Sequence, residues 1–159
     1  MMHLALFQPQ IPPNTGNVAR QCVGMNAVLH IIGPHTFDLS DSAARRAGLD
    51  YWPYLKLVEH ATPEAFLDWL DGREPWLVTK YATLRYDQAD YRTGDVIVLG
   101  NELRGLPEEW HARWPHRRVR IPILGPVRSY NLANSAAIVL AQAYSTAGLF
   151  EETQVQSAT

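Results

Sequence analysis

Cysteine is almost absent. Cys22 stands alone among 159 residues, which excludes a disulfide framework and a cysteine-rich zinc site and suits a reducing compartment. Long apolar runs are missing as well, and no stretch approaches the ~20 residues of a membrane-spanning helix. The opening Met1-Met2-His3-Leu4-Ala5-Leu6-Phe7-Gln8-Pro9 has neither the basic segment nor the apolar length of a signal peptide. A cytoplasmic protein with no membrane association is expected. Nor is there a strong charge of either sign, the formal net charge being −2. A chain that grips nucleic acid through its backbone usually carries a basic patch. Here basic residues gather only locally, in a run of Arg113, His116, Arg117, Arg118 and Arg120 and in the pair Arg45 and Arg46. An RNA partner is permitted by this pattern, not required by it. The histidines, at positions 3, 30, 35, 60, 111 and 116, show no metal-ligand spacing, so no metal is expected and they read as surface or packing residues.

What is present is a globular composition, 47% apolar and 19% charged, in a chain long enough for one well-formed core. The apolar pattern predicts strands over residues 2–8, 28–32, 54–60, 76–79 and 95–99, and an extended segment over 119–124. It predicts helices over 14–25, 40–47, 63–70, 107–114 and 130–147. Strands alternate with helices from end to end, which is the pattern of an α/β domain with a mostly parallel sheet and helices on both faces. Such sheets bind ligands beyond the carboxyl ends of their strands. A single domain over residues 1–148 is expected, followed by a polar tail over 149–159.

Three segments carry chemistry. In the first, Pro12-Pro13-Asn14-Thr15-Gly16-Asn17-Val18-Ala19-Arg20, the prolines stop a strand and Asn14 is placed to cap the helix that follows. Asn14, Asn17 and Arg20 share a broad polar stripe, with Val18, Ala19, Cys22 and Val23 opposite. Asn17 reads equally well as a solvated residue. In the second, Gly100-Asn101-Glu102-Leu103-Arg104-Gly105-Leu106-Pro107, a buried strand runs into a glycine-bounded loop. Leu106-Pro107 exclude a Walker A loop, and the G-x-G-x-x-G of dinucleotide-binding folds is missing, which speaks against a nicotinamide oxidoreductase. Gly100 lets a backbone approach closely, and Glu102 either holds the loop by bonding backbone amides or touches a substrate. The third, Arg128-Ser129-Tyr130-Asn131-Leu132-Ala133-Asn134-Ser135, crowds small polar residues at a helix start, with Ser129 or Asn131 as N-cap. A helix N-terminus offers free N–H groups and a positive dipole end to a ligand. The helix is apolar over a wider arc than one sheet face needs, and its alanines permit close contact, so a C2 homodimer through this helix is expected.

Taken together and in this order, these segments resemble the SPOUT class of RNA methyltransferases, and more narrowly the TrmL (YibK) family of tRNA wobble-nucleotide 2′-O-methyltransferases. The stretch Arg46-Ala47-Gly48-Leu49-Asp50-Tyr51 belongs to the same match, which runs to about residue 148. The resemblance implies a C-terminal trefoil knot, an exception to the rule against threaded chains. It implies S-adenosylmethionine as methyl donor, held at Leu77, Gly100, Ile121 and Ser129, and the anticodon stem-loop of tRNA as partner. Arg20 matches the arginine that activates the ribose hydroxyl, Glu102 and Asn131 the polar residues of the second and third motifs, and Asn14 and Asn17 those of the first. Because a guanidinium is a poor general base, Arg20 is expected to orient ribose or phosphate and to stabilise negative charge developing on oxygen. Ribosomal RNA as the substrate, or a nucleoside-binding module without activity, are the alternatives. Two positions depart from the family pattern. Asn101 stands where proline or serine is frequent, which is expected to loosen the loop, and Ala133 replaces a common serine.

Overall fold

The computed structural model describes residues 1–151. Six strands, β1 (His3–Phe7), β2 (Val28–Ile32), β3 (Lys56–His60), β4 (Trp76–Val78), β5 (Val96–Leu99) and β6 (Arg118–Val119), form one sheet in the order β3-β2-β1-β5-β4-β6. Every pairing is parallel. Parallel neighbours cannot be joined by a tight hairpin, so the chain crosses a sheet face between them, and five helices do most of that work. They are α1 (Pro12–Gly24), α2 (Asp41–Arg46), α3 (Pro63–Leu70), α4 (Glu108–Arg113) and α5 (Leu132–Thr146).

The two-residue period of the strands divides the core in two. Leu4, Leu6, Leu29, Ile31, Ile97 and Leu99 face Val18, Ala19 and Cys22 of α1 and Ala136, Val139, Leu140 and Ala143 of α5. Ala5, Phe7, Ile32, Val96 and Val98 face Phe66 and Leu70 of α3 and Trp110 of α4. Burial pushes the Cys22 thiol up to about 12, so this cysteine behaves as a small apolar core residue. Among the described residues no helix is long and apolar enough to cross a membrane.

Several boundaries differ from the sequence expectation. Helix α1 starts at Pro12 with Ile11 as its N-cap, and no side chain caps it. Asn14 is therefore inside the first turn, and its amide is free for other work. Strand β6 is Arg118–Val119, so of the extended segment expected over 119–124 only Val119 lies in a strand, and Ile121 and Ile123 turn to line a cavity. Single 3-10 turns at Trp52–Tyr54 and Tyr86–Gln88 were not expected. The tail expected from 149 begins inside the core, since Leu149 is only 4% exposed and Phe150 packs on Tyr144. Residues 152–159 of that tail lie outside the described residues.

Candidate active site

At the carboxyl edge of the sheet the departing loops enclose a cavity of about 470 Å³. Residues 78–81 leave β4, 99–106 leave β5, and Ile121 and Ile123 follow β6; residues 128–132 lead into α5 and close the far wall. This is the edge where parallel α/β sheets hold ligands, because strand ends and helix N-termini converge there.

A chain of hydrogen bonds ties the three sequence segments together beside this cavity. Asn131 caps α5, its Oδ1 accepting from the N–H of Ala133 at 2.9 Å and of Asn134 at 3.3 Å. Its Nδ2 donates to Asn14 Oδ1 at 3.0 Å. Asn14 Nδ2 in turn donates to Glu102 Oε1 at 3.5 Å, and the Glu102 carboxylate accepts the backbone N–H of Gln10 at 2.9 Å and of Ile11 at 3.1 Å. Asn14, expected to cap α1, thus engages both atoms of its side-chain amide in a network, and Glu102 bonds backbone amides of a different loop from its own.

The loop after β5 is held from within. Asn101 and Gly105 exchange two backbone hydrogen bonds, at 3.1 and 3.0 Å. A Cβ on Gly100 would sit 2.5 Å from the Gly105 carbonyl carbon, so the close backbone approach that requires glycine there is to the loop itself. Asn101 is buried and stiffens this loop, contrary to the loosening expected of it. Its Oδ1 accepts from Leu103 N at 2.8 Å and Arg104 N at 3.2 Å, and its Nδ2 donates to the carbonyl of Gln8. Sequence reasoning did not assign Asn101 a role. It also passed over Thr79 and His111, which line the same cavity. His111 Nδ1 bonds the Pro107 carbonyl at 3.1 Å and so carries the proton, leaving Nε2 to accept from the Thr79 hydroxyl at 2.9 Å. Thr79, directly after an apolar strand, was the one signal available.

Of the expected donor contacts, Gly100, Ile121 and Ser129 line the cavity. Leu77 is fully buried in β4, and the next residue, Val78, reaches the cavity in its place. Asn17 and Arg20 are not brought to Asn14. Each three-residue step along a helix turns back about 60°, and two such steps carry Arg20 out to an exposed position with its guanidinium over the Tyr51 ring, 5.7 Å from the centroid.

Residues 1–141 match the SpoU rRNA Methylase family. The chain belongs to the SpoU methylase family. A SpoU relative from Methylovorus glucosotrophus, named tRNA (cytidine(34)-2'-O)-methyltransferase, is 42% identical over 145 residues, covering 91% of this chain and 94% of that one. A solved SpoU-like structure concerned with 2-OH methylation of C/U34 on tRNA superposes with a TM-score of 0.82 at 42% identity, covering 92% and 95% of the two chains. An AdoMet-bound rRNA methyltransferase from Sinorhizobium meliloti follows at a TM-score of 0.77 and 26% identity, covering 91% of this chain and 56% of that one.

In this SpoU domain two members of the basic run, Arg117 and Arg118, are bonded to their own chain. Arg117 lies over the Trp76 ring at 4.1 Å, donates to the Glu74 carbonyl at 2.9 Å and meets Asp95 at 3.5 Å. Arg118 donates to the Pro115 carbonyl at 3.3 Å. Arg117 is committed to holding the edge of the sheet. Among the described residues no group of three or more His, Cys, Asp or Glu is placed to hold a metal ion.

Proposed function

We propose that this SpoU protein transfers a methyl group from S-adenosylmethionine to the ribose 2′-hydroxyl of the wobble nucleotide, cytidine or uridine 34, of tRNA. It works in the cytoplasm as a homodimer that engages the anticodon stem-loop. The observation that carries the reading is the Asn14–Glu102–Asn131 chain, which joins three distant segments at the mouth of a cavity at the sheet's carboxyl edge. Relatives of similar length and about 40% identity that bear this activity in their names support it.

The cavity suits the donor. Val78, Leu99, Ile121 and Leu132 offer an apolar wall for adenine, and Ser129, Ser135 and Thr79 supply polar groups at the edges. When bound, S-adenosylmethionine supplies an electrophilic methyl group on a sulfonium centre. The chain's own residues then have two tasks. Asn14, Glu102 and Asn131 have their polar atoms engaged with one another and with backbone amides, so we assign them to positioning the loops that frame the cavity, where alignment supplies much of the rate. Arg20 is exposed and available to an anion, and it orients the substrate's ribose and phosphate and steadies charge developing on the 2′-oxygen. On α5, Ala137, Ile138 and Ala141 are half-buried and are not among the residues packed on the core; a second copy of the chain is their proposed cover. The trefoil knot implied by the resemblance is part of the same proposal.

The test is transfer of labelled methyl from S-adenosylmethionine to unmodified tRNA, with the 2′-O-methylated nucleotide mapped. Label at nucleotide 34 is expected. Label on ribosomal RNA alone would keep the chemistry and replace the substrate. Donor binding with no transfer to any RNA would leave a nucleoside-binding module. Within the active enzyme, Arg20→Ala is expected to lower kcat by about 100-fold or more, the scale of losing one charge-stabilising group, with calorimetric donor affinity unchanged. Full turnover in that variant would remove Arg20 from the reaction.

A further inference from the structure

The start of α1 that borders the donor cavity through Ile11 and Asn14 borders a second cleft, of about 400 Å³, through Pro12, Pro13, Thr15 and Asn17. Its other walls come from the segment between β2 and β3. Phe37, Tyr51 and Trp52 supply aromatic surface, and Ala43 and Ala47 of the α2 side leave room between them. This volume lies in the ~300–1,000 Å³ range of small-ligand pockets. Asn17, Asp38 and Ser40 bring hydrogen-bonding groups to the otherwise apolar lining, and the hydroxyl of the buried Thr15 has no hydrogen-bond partner in the protein.

Charge separates the occupants such a cleft could take. Arg20 stands over the Tyr51 ring at 5.7 Å, and Arg46 reaches Asp38 at 3.9 Å with both side chains largely exposed. Arg45 is exposed on the same short helix. Neither Arg20 nor Arg45 has an ion-pair partner among the described residues. Aromatic faces with polar groups beside them and an unpaired arginine, Arg20, over one of the rings match a nucleotide, which stacks its base and presents a phosphate. An apolar peptide would leave Arg20 unanswered.

We propose that this cleft holds a nucleobase of the RNA substrate, within one or two nucleotides of the methylated ribose, with a backbone phosphate on Arg20. The proposal rests on the function given above and adds to it a second contact, on the opposite flank of α1 from the donor. Because Arg20 belongs to both, it couples recognition of the flanking base to placement of the reacting ribose.

Two variants test it on the full-length enzyme, Ala43→Trp to fill the cleft and Phe37→Ala to remove an aromatic wall, each checked for folding by circular dichroism melts. The probe is an anticodon stem-loop RNA carrying single 5-iodouridine substitutions through its loop. KM for this RNA is expected to rise at least about tenfold in both variants, the scale of one base stack, while calorimetric affinity for S-adenosylmethionine stays unchanged. Photocrosslinks from one loop position are expected on the peptide containing Tyr51 and Trp52. An unchanged KM, or crosslinks confined to the donor-cavity loops, overturns the proposal and leaves the cleft to a protein segment. Failure of the unaltered enzyme to methylate any RNA while still binding donor defeats the function proposed above, and this inference falls with it.

Discussion

Asn101 does at one position what proline does by stiffness and serine by a single hydroxyl. Its amide reads three backbone groups at once: two N–H groups of its own loop and the carbonyl of Gln8. Gln8 holds a φ of +44°, a left-handed conformation that a residue with a side chain adopts only when neighbours enforce it. Glu102, next in sequence, bonds the amides of Gln10 and Ile11, so adjacent side chains of the β5 loop clamp the β1 loop. Asn101→Ala removes three hydrogen bonds from a buried site and is expected to cost about 1–3 kcal/mol of stability. It should also weaken donor affinity several-fold, because the loop that lines the cavity loses its internal ties. Asn101→Asp keeps both acceptor contacts within the loop but sets a carboxylate oxygen against the Gln8 carbonyl, so it should recover donor affinity only in part and remain less stable than the native protein. Thermal melts with calorimetric titration of donor check both variants, and an Asn101→Ala enzyme with native donor affinity would show that the clamp serves the fold alone.

At the scale of elements, the sheet carries a feature that no linear pattern announced. His3, His30 and His60 come from β1, β2 and β3 and join through their ring nitrogens, His3 to His30 and His30 to His60, each at 2.9 Å. Phe66 and Trp69 of α3 cover them. Neutral imidazoles close such a ladder, each link taking one N–H and one lone pair, and their burial favours that uncharged form. Burial, followed by its histidine neighbours, pushes the His30 pKa down to about 3, and burial lowers those of His3 and His60. An unfolded histidine titrates near 6.5, so below that pH the unfolded chain binds protons that the fold refuses. The ladder's contribution is present above pH 6.5 and is lost as pH falls toward 3, by about 2 kcal/mol at pH 5 for His30 alone. Melting temperature is therefore expected to drop between pH 7 and pH 5, and His30→Leu should flatten that slope; an equally steep slope in the variant would place the acid sensitivity elsewhere. The element order was legible from periodicity, because buried strands and amphipathic helices carry their spacing in short windows. The ladder was not, since only strand register brings positions 3, 30 and 60 together. The same holds for Asn14 and Asn131, 117 positions apart. Family resemblance pointed to both residues, but that they bond one another follows from where α1 and α5 meet.

For the whole molecule the question is how Arg20 and the donor cavity serve one ribose. Asn14 and Ile11 touch the cavity, whereas Arg20 lies more than a turn further along α1, over Tyr51 and outside the cavity wall. Helix α1 is joined to α5 by the Gln21 side chain, whose Nε2 donates to the Ala133 carbonyl at 2.8 Å, so α1 is fixed to the helix on which the homodimer is proposed to form. In a C2 assembly the same surface is used twice, so two arrangements are open to test: Arg20 serving its own subunit's cavity, or Arg20 serving the partner's. Mixed dimers decide this. Arg20→Ala subunits and subunits with the cavity filled by Ile121→Trp are each expected to be inactive alone. If sites are shared, a random heterodimer has one site with both defects and one with neither, so an equal mixture should recover about a quarter of wild-type activity, half the dimers being mixed and each half-active. If each subunit works with its own Arg20, every site in the heterodimer carries a defect and the mixture stays inactive. Ile138→Glu on the outer face of α5 supplies the companion measurement. It should give a monomer in sedimentation, and under the shared arrangement that monomer binds donor but does not methylate.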